Sequence, residues 1–141
     1  MQISFLFLEG EKIYDIVPML QELGGNKYSD QILKERLGEM ISQNYRCLGI
    51  FDQNKLVGMC GLWYQTRHYA GKSLEVDHVF ITAPYRNKGI GKNMIAYVQE
   101  YGESLGCEAI ELNTYVENFP SHKFYYNLGF VARGFHFLKR F

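Results

Sequence analysis

Two spacings of apolar residues alternate along the chain, one typical of strands and the other of helices. Short apolar runs bounded by glycine or polar turns predict strands. The predicted strands cover residues 3–8, 45–52, 55–66, 73–81, 107–115 and 130–139. A turn at Gln53-Asn54 is expected to join the second strand to the third.

Four other segments carry apolar residues three or four positions apart, which is the helical spacing. The predicted helices lie between Gly10 and Gly24-Gly25, from a cap at Ser29 or Asp30 to Ile41, over 89–105 and over 120–128. The resulting order is β-α-α-β-β-β-α-β-α-β. It predicts a fold of the α/β (α+β) class, with a mixed sheet and helices on both faces.

Length and charge narrow the classes of protein that the chain can represent. Its 141 residues have the length of one domain, and no repeat or linker interrupts them, so residues 1–141 are treated as a single domain. The 15 basic and 15 acidic side chains cancel, which argues against binding to nucleic acid or to a membrane surface. Aromatic residues make up 16%, and some of them are expected to line a concave site.

No segment of the sequence reads as a targeting or membrane-spanning element. The apolar run at residues 1–9 has neither a basic flank nor a cleavage site, so it is interpreted as a first strand. No stretch approaches the roughly 18 consecutive apolar residues of a membrane span. Cys47, Cys60 and Cys107 lack metal-ligand spacing, so we expect reduced thiols, no bound metal and a cytoplasmic location.

The segment 81–92 leads from a predicted strand into the longest predicted helix and carries the clearest chemical signal. Gly89 and Gly91 let backbone amides approach a ligand, and the positive end of the helix dipole favours an anion there. Three cations crowd the same helix start, at a cost of roughly 0.3–1 kcal/mol each; they are Arg86, Lys88 and Lys92. A bound polyanion explains that cost, and a solvated basic loop is the alternative.

Two stretches match the motifs of one known family, whereas the phosphate motifs of NTPases and dehydrogenases do not fit. Arg86-Asn-Lys-Gly89-Ile-Gly91 resembles the Arg/Gln-x-x-Gly-x-Gly/Ala signature of the GNAT N-acetyltransferase superfamily. The stretch from Asn118 to Phe130 resembles the family's Asn-x-x-Ala-x-x-x-Tyr-x-x-x-Gly-Phe pattern, with Ser121 in place of the usual Ala. The resemblance implies a GNAT-like, mostly antiparallel central sheet and an N-acetyltransferase that uses acetyl-CoA.

The resemblance also implies where acetyl-CoA binds. The loop would cradle its pyrophosphate, and main-chain N–H groups at the end of the preceding strand would hold the pantetheine arm and the thioester oxygen. The residues implied in this way are Phe80, Ile81, Thr82, Arg86, Asn87, Lys88, Gly89, Ile90, Gly91, Lys92, Asn118 and Tyr125. For Asn118, capping the helix after Pro120 is the alternative role.

Acetyl transfer to an amine needs a proton acceptor for the ammonium and a proton donor for the departing thiolate. Tyr125 matches the family's tyrosine and is the expected acid, with packing against Phe124 as its alternative role. Alternation along the strand before the loop places Glu75 and Asp77 on one face. Either carboxylate could accept the proton or attract the cation, and a pair of solvent-facing or salt-bridged acids is the alternative.

The same alternation directs His78 to the opposite face of that strand, together with Leu74, Val76 and Phe80. We therefore expect a packed, hydrogen-bonded histidine rather than a base. A bulge in this strand, which the family often has, would exchange these assignments.

The acceptor is less well defined by the sequence. Aromatic walls beside a carboxylate suit a small cationic amine, and the resemblance places Tyr28, Trp63, Tyr64, Tyr69 and Tyr115 around the acceptor groove. We expect a small primary amine, rather than a protein amine, to attack acetyl-CoA directly in a ternary complex. An acyl-CoA-binding or regulatory module without activity is the alternative. Exposed aromatic strands near the C-terminus also predict a homodimer.

Overall fold

The computed structural model describes residues Met1–Phe141 and contains five strands, four α-helices and two short 3-10 helices. The strands are β1 (Ile3–Phe7), β2 (Tyr45–Asp52), β3 (Lys55–Arg67), β4 (Gly71–Ile81) and β5 (Ala109–Leu112). The α-helices are α1 (Val17–Gly24), α2 (Asp30–Met40), α3 (Ile90–Ser104) and α4 (Phe119–Asn127). The 3-10 helices cover Gly10–Ile16 and Ala83–Tyr85. No helix is both long enough and apolar enough to cross a bilayer.

The helix predicted between Gly10 and Gly24 is divided into two parts, and Pro18 explains the division. The chain forms a 3-10 helix up to Ile16, and the α-helix begins only at Val17, which places Pro18 in its first turn. Proline has no N–H to donate and would clash with the preceding turn of a continuous α-helix, but the first turn tolerates it.

The strands form one sheet in the order β1-β2-β3-β4-β5. The pairs β1/β2, β2/β3 and β3/β4 are all antiparallel, which confirms the mostly antiparallel sheet. Sequence neighbours are therefore neighbours in space along this part of the chain, so short hairpin turns are enough to connect β2, β3 and β4.

Helices cover both faces of the sheet, as predicted. The α1 face, named for the helix that covers it, packs Cys47 and Met59 against Ile16 and Leu37. On the other face, the α3 face, Phe5 and Phe7 of β1 stack on tyrosines of α3; the ring centroids of Phe5 and Tyr97 lie 5.3 Å apart, and those of Phe7 and Tyr101 lie 4.7 Å apart.

A β-bulge in β4 reverses the alternation of its side chains. Asp77 pairs with Gly61 and Phe80 pairs with Met59, so β4 advances three residues where β3 advances two. His78 lies at this irregularity with a positive φ of 29°. Beyond it, Phe80 packs in the α1-face cluster with Met59 rather than with Leu74 and Val76. The predicted position of Phe80 was therefore wrong.

The bulge also moves His78 to the α1 face, contrary to the simple alternation. A Cβ added to Gly61 would lie 2.2 Å from Cε1 and from Nε2 of His78, so the imidazole occupies the space above that glycine. Gly61 pairs with Cys47, which belongs to the α1-face cluster. His78 thus shares a face with Asp77, because the extra residue turns two consecutive side chains to the same side.

The chain divides into two compact units, Met1–Glu111 and Leu112–Phe141, and the second contains α4 and the C-terminal tail. Residues 130–139, predicted as a strand, form no ladder with any other strand, so that prediction was wrong. Large apolar side chains of the tail are exposed, among them Phe135 and Phe137. A single domain, a cytoplasmic location and a homodimer stay predictions.

Candidate active site

The loop between β4 and α3 is held by hydrogen bonds to the rest of the sheet. The Thr82 amide donates to the Val57 carbonyl at 2.9 Å, and the Tyr85 amide donates to the Thr82 carbonyl at 2.9 Å. The Tyr85 hydroxyl donates to Oδ2 of Asp52 at 2.7 Å, which ties the loop to the end of β2. Because its amide is already occupied, Thr82 is a poor main-chain donor to a ligand.

Helix α3 begins with the groups that an anion needs. Its N-cap is Gly89, in the left-handed region with φ of 78°, and neither a capping side chain nor an acidic residue serves the first turn. The first amides of an α-helix have no partner inside the helix, so those of α3 point out of its start. A Cβ at Gly89 would meet nothing within 4 Å, so the backbone there is open to a ligand.

The cations around this helix start are not neutralised by protein carboxylates. Arg86, Lys88 and Lys92 are exposed, and none of them forms an ion pair. Arg86 donates from Nε to the Ile81 carbonyl at 2.7 Å, and its guanidinium lies 5.2 Å from the centroid of the Phe80 ring. These contacts hold the side chain at the end of β4, so its terminal nitrogens can still meet an anion. The loop therefore combines open backbone amides with cations that have no carboxylate partner, the two features that an anion site needs.

Upstream in β4, Glu75 and Asp77 share the α1 face, as predicted. Glu75 pairs with Trp63 across the ladder and Asp77 pairs with Gly61. Glu75 makes no hydrogen bond or ion pair to the protein and lines an open cleft of about 400 Å³, together with Gln43, Asn44, Trp63, Tyr64 and Gln65. A carboxylate in an open, amide-lined and aromatic-lined cleft can receive a proton or a cation from a small ligand.

Asp77, in contrast, is contacted by three N–H groups of the protein. Its Oδ2 accepts from Trp63 Nε1 at 3.0 Å and lies 3.4 Å from Nδ1 of His78, while its Oδ1 accepts from the His78 backbone amide at 2.8 Å. Chiefly through the hydrogen bond from the His78 side chain, the pKa of Asp77 falls from its ordinary 3.8 to about 2. A carboxylate with so low a pKa is a weak base and a persistent anion.

One participant in this network, Tyr45, was not considered from the sequence; its hydroxyl lies 2.5 Å from Nε2 of His78. His78 is a packed, hydrogen-bonded histidine, as expected, but it lies on the α1 face, where the bulge places it. No motif in the sequence signals this pair, because β2 and β4 meet only through the sheet and only the bulge turns His78 toward Tyr45.

The other aromatic residues expected near the acceptor have varied surroundings. Tyr64 lines the cleft with Trp63. The Tyr69 hydroxyl donates to Oε1 of Glu111 at 2.7 Å, and the Ser73 hydroxyl donates to Oε2 of the same carboxylate at 2.6 Å. Tyr28 lies under the guanidinium of Arg36, 4.2 Å from the ring centroid.

The remaining predicted site residues belong to the unit Leu112–Phe141. Asn118 caps α4, since its Oδ1 accepts from the Ser121 amide at 3.4 Å, which is the alternative role considered for it. Tyr125 is half-buried, and its ring centroid lies 5.1 Å from that of Phe124 and 5.5 Å from that of Phe130. Tyr115 is largely exposed. The packing with Phe124 was likewise an alternative for Tyr125.

Comparisons with known proteins agree on one family. The model of the acetyltransferase (GNAT) family matches residues 12–130. An uncharacterized N-acetyltransferase of Bacillus subtilis, YhdJ, is 22% identical over 123 residues, which are 86% of this chain and 87% of that protein. The aminoalkylphosphonate N-acetyltransferase of Salmonella typhimurium is 30% identical over 86 residues, 60% of this chain and 56% of the relative.

A solved structure extends the likeness to the fold. The complex of AAC(6')-Iy with the bisubstrate analog CoA-S-monomethyl-acetylneamine has a TM-score of 0.82 and 18% sequence identity, over 99% of each chain. At that level of identity the likeness concerns the fold alone.

The surroundings of Asp77 predict a specific dependence of stability on pH. Because its folded pKa is depressed, this carboxylate stabilises the fold above about pH 4, and the contribution is lost as the pH falls toward 2. Half of the Asp77 side chain is exposed, so we expect a contribution of only about 1 kcal/mol after screening by solvent. Urea unfolding followed by circular dichroism should give a flatter profile between pH 4 and 2 for Asp77→Asn than for wild type. Asp15→Asn, at an exposed carboxylate, is the control, and parallel wild-type and Asp77→Asn profiles would contradict the prediction.

Proposed function

The chain belongs to the acetyltransferase (GNAT) family, and from this premise we propose that it transfers an acetyl group from acetyl-CoA to the primary amine of a small molecule. One observation carries the proposal: a single strand, β4, bears the two carboxylates and runs directly into the cationic loop at the start of α3. Between the partners of Asp77 and Ile81, β3 advances only from Gly61 to Gly58, so at about 3.3 Å per residue Asp77 lies roughly 10 Å from the end of β4. An extended co-substrate with an anionic end and a reactive end fits this arrangement.

The anionic end of acetyl-CoA would bind at the loop. The open backbone at Gly89, the amides of Ile90 and Gly91, and the unpaired cations of Arg86 and Lys92 support this role, because fixed N–H dipoles and positive charges together attract a diphosphate. Acetyl-CoA supplies the activated acyl group, and the residues of this chain supply its orientation. The amide of Ile81 stays a candidate for holding the pantetheine arm. The Thr82 amide is already bonded to Val57, and Phe80, which pairs with Met59 two residues earlier, directs its amide to the same strand.

Glu75 and Asp77 would have different roles toward the acceptor amine. An alkyl ammonium with a pKa of about 10.4 must lose a proton before its nitrogen can attack. Glu75 has no protein partner and faces the cleft, so it is the better proton acceptor, directly or through water. Asp77 stays ionised, and with Trp63 beside it would attract and orient the cation.

Tyr125 would protonate the departing thiolate. A phenol keeps its proton at neutral pH and can give it to a thiolate whose own pKa is about 8.5. The support for this role is the motif from Asn118 to Phe130, in which Tyr125 lies four residues before Gly129.

Direct attack by the amine is favoured over an acetylated enzyme. Cys47 and Cys60 are fully buried, and burial raises the pKa of the Cys47 thiol to about 11. Burial likewise raises the pKa of Cys60 well above its ordinary value. Burial raises the pKa of Cys107 as well. Since the thiolate is the nucleophilic form, none of the three cysteines is suited to carry the acetyl group.

The proposal is tested by following CoA release with a panel of amines that includes an aminoalkylphosphonate, 1,4-diaminobutane, an amino sugar and a lysine peptide. Release with a small amine and not with the peptide is the expected result. Binding of acetyl-CoA without release with any amine would favour the non-catalytic acyl-CoA-binding module instead.

The loop prediction concerns the left-handed glycine at the start of α3. Gly89→Ala should weaken CoA binding about tenfold, because an L-residue in that region costs roughly 1–2 kcal/mol and shifts the adjacent amides. Isothermal titration calorimetry measures the change. Gly106→Ala is the matched control, since Gly106 follows the other end of α3 with φ of 81° and equally open space. Equal losses in both variants, or no heat from CoA with wild type, would refute the site.

The base prediction concerns Glu75. Glu75→Gln should lower kcat/KM for the amine by about 10²-fold or more, since general-base catalysis is lost. In the Glu75→Gln variant, kcat/KM should keep rising with pH toward the pKa of the amine itself. In wild type, kcat/KM should level off once the carboxylate is ionised. A pH–rate profile of wild type and variant tests this, with Glu100→Gln, at an exposed site on α3, as the control. An unchanged profile would place the base elsewhere.

The acid prediction concerns Tyr125. Tyr125→Phe should reduce kcat by about 10²-fold while KM for acetyl-CoA stays within about twofold, because the hydroxyl acts only as the thiolate departs. Tyr126→Phe, at the exposed neighbouring tyrosine, is the matched control. Steady-state kinetics that show the same kcat for wild type and Tyr125→Phe would refute the assignment.

A further inference from the structure

His78 occupies a slot that the neighbouring strands leave for an imidazole. The slot lies above Gly61, where any Cβ would come within 2.2 Å of the ring. The side chain is only 9% exposed, and Tyr45, whose ring centroid lies 5.5 Å away, is 4% exposed. A polar ring in so enclosed a position is costly unless both of its nitrogens have partners.

Both nitrogens have partners, and the partners determine the tautomer. Asp77, as an ionised carboxylate, can only accept, so Nδ1 of His78 must carry the proton that faces it at 3.4 Å. In a neutral imidazole Nε2 is then an acceptor, and it receives the hydroxyl proton of Tyr45 at 2.5 Å. Burial raises the pKa of Tyr45, so this hydroxyl keeps its proton.

The direction of the network differs from that of a catalytic triad, in which a buried carboxylate orients an exposed imidazole. Here the imidazole is buried, while the Asp77 side chain is 50% exposed. The hydrogen bonds therefore lead from the interior toward the carboxylate, and the carboxylate is the end that a ligand can reach.

Oδ1 of Asp77 has an acceptor position left for such a ligand. Each carboxylate oxygen offers about two lone-pair positions. Trp63 Nε1 donates to Oδ2 and His78 Nδ1 lies beside Oδ2 at 3.4 Å, whereas Oδ1 accepts only from the His78 amide. The remaining position on Oδ1 suits an N–H of an ammonium ion.

We infer that His78, held in its Nδ1–H tautomer by Tyr45, is a positioning residue that orients Asp77 so that its free Oδ1 position binds the ammonium group of the acceptor. This inference rests on the proposed function, because it names the group that recognises the amine. It assigns specificity for a cationic acceptor to three residues on β2 and β4.

The test uses the full chain labelled with ¹⁵N. Imidazole ¹⁵N shifts should show the Nδ1–H tautomer of His78 in wild type and a mixture of tautomers in Tyr45→Phe, which keeps the ring and loses only the hydroxyl. The indole N–H of Trp63, the single tryptophan, reports binding of 1,4-diaminobutane, because it donates to Asp77. Tyr45→Phe should raise the Kd of this diamine about tenfold, the effect of one lost hydrogen bond.

Tyr101→Phe is the matched control, since it removes a tyrosine hydroxyl that bonds Arg46 at 3.1 Å and leaves the His78 network intact. An Nε2–H tautomer in wild type overturns the inference, as does an equal Kd for wild type and Tyr45→Phe. The wild-type shifts decide this even if the variant does not fold. Neither readout depends on acetyl transfer, so a failure of the proposed function would appear separately, as absent CoA release.

Discussion

The extra residue in β4 is the constraint on which the rest of the site depends. In a regular antiparallel ladder His78 would face α3, and Asp77 would lack its main protein donor. The bulge places both on the α1 face and returns Phe80 to the core beside Met59. Gly61 makes this possible, because any side chain there would collide with the imidazole. A local irregularity in one strand thereby sets both the hydrogen bonds and the charge of the carboxylate.

Charge is separated along the chain although its sum is zero. The start of α3 carries three unpaired cations, and the α1 face of the sheet carries Glu75 and Asp77. The length of β4 between them keeps the two groups from neutralising each other. A protein of this kind can attract an anion at one end of a strand and a cation near its middle, which net charge alone does not reveal.

The rigidity of the loop comes from bonds that have no direct role toward a ligand. The Tyr85 hydroxyl on Asp52 and the Thr82 amide on Val57 tie the turn to two neighbouring strands, and Arg86 closes it onto the end of β4. Such supporting bonds fix the positions of the amides at the start of α3, and fixed dipoles are more effective than mobile ones in holding charge.

Local patterns in the sequence determined most of the helices and strands, the glycine-containing start of α3 and the shared face of Glu75 and Asp77, because periodicity, caps and glycines act within a few residues. The mostly antiparallel sheet followed only from the resemblance to a known family. Ser29 does cap α2, and Gly89 does begin α3. Only the tertiary structure decided that residues 130–139 form no strand and that the Thr82 amide donates to the Val57 carbonyl. It also decided that His78 contacts both Tyr45 and Asp77. The reason is that strand pairing and bulges depend on partners distant in sequence, which no local pattern specifies.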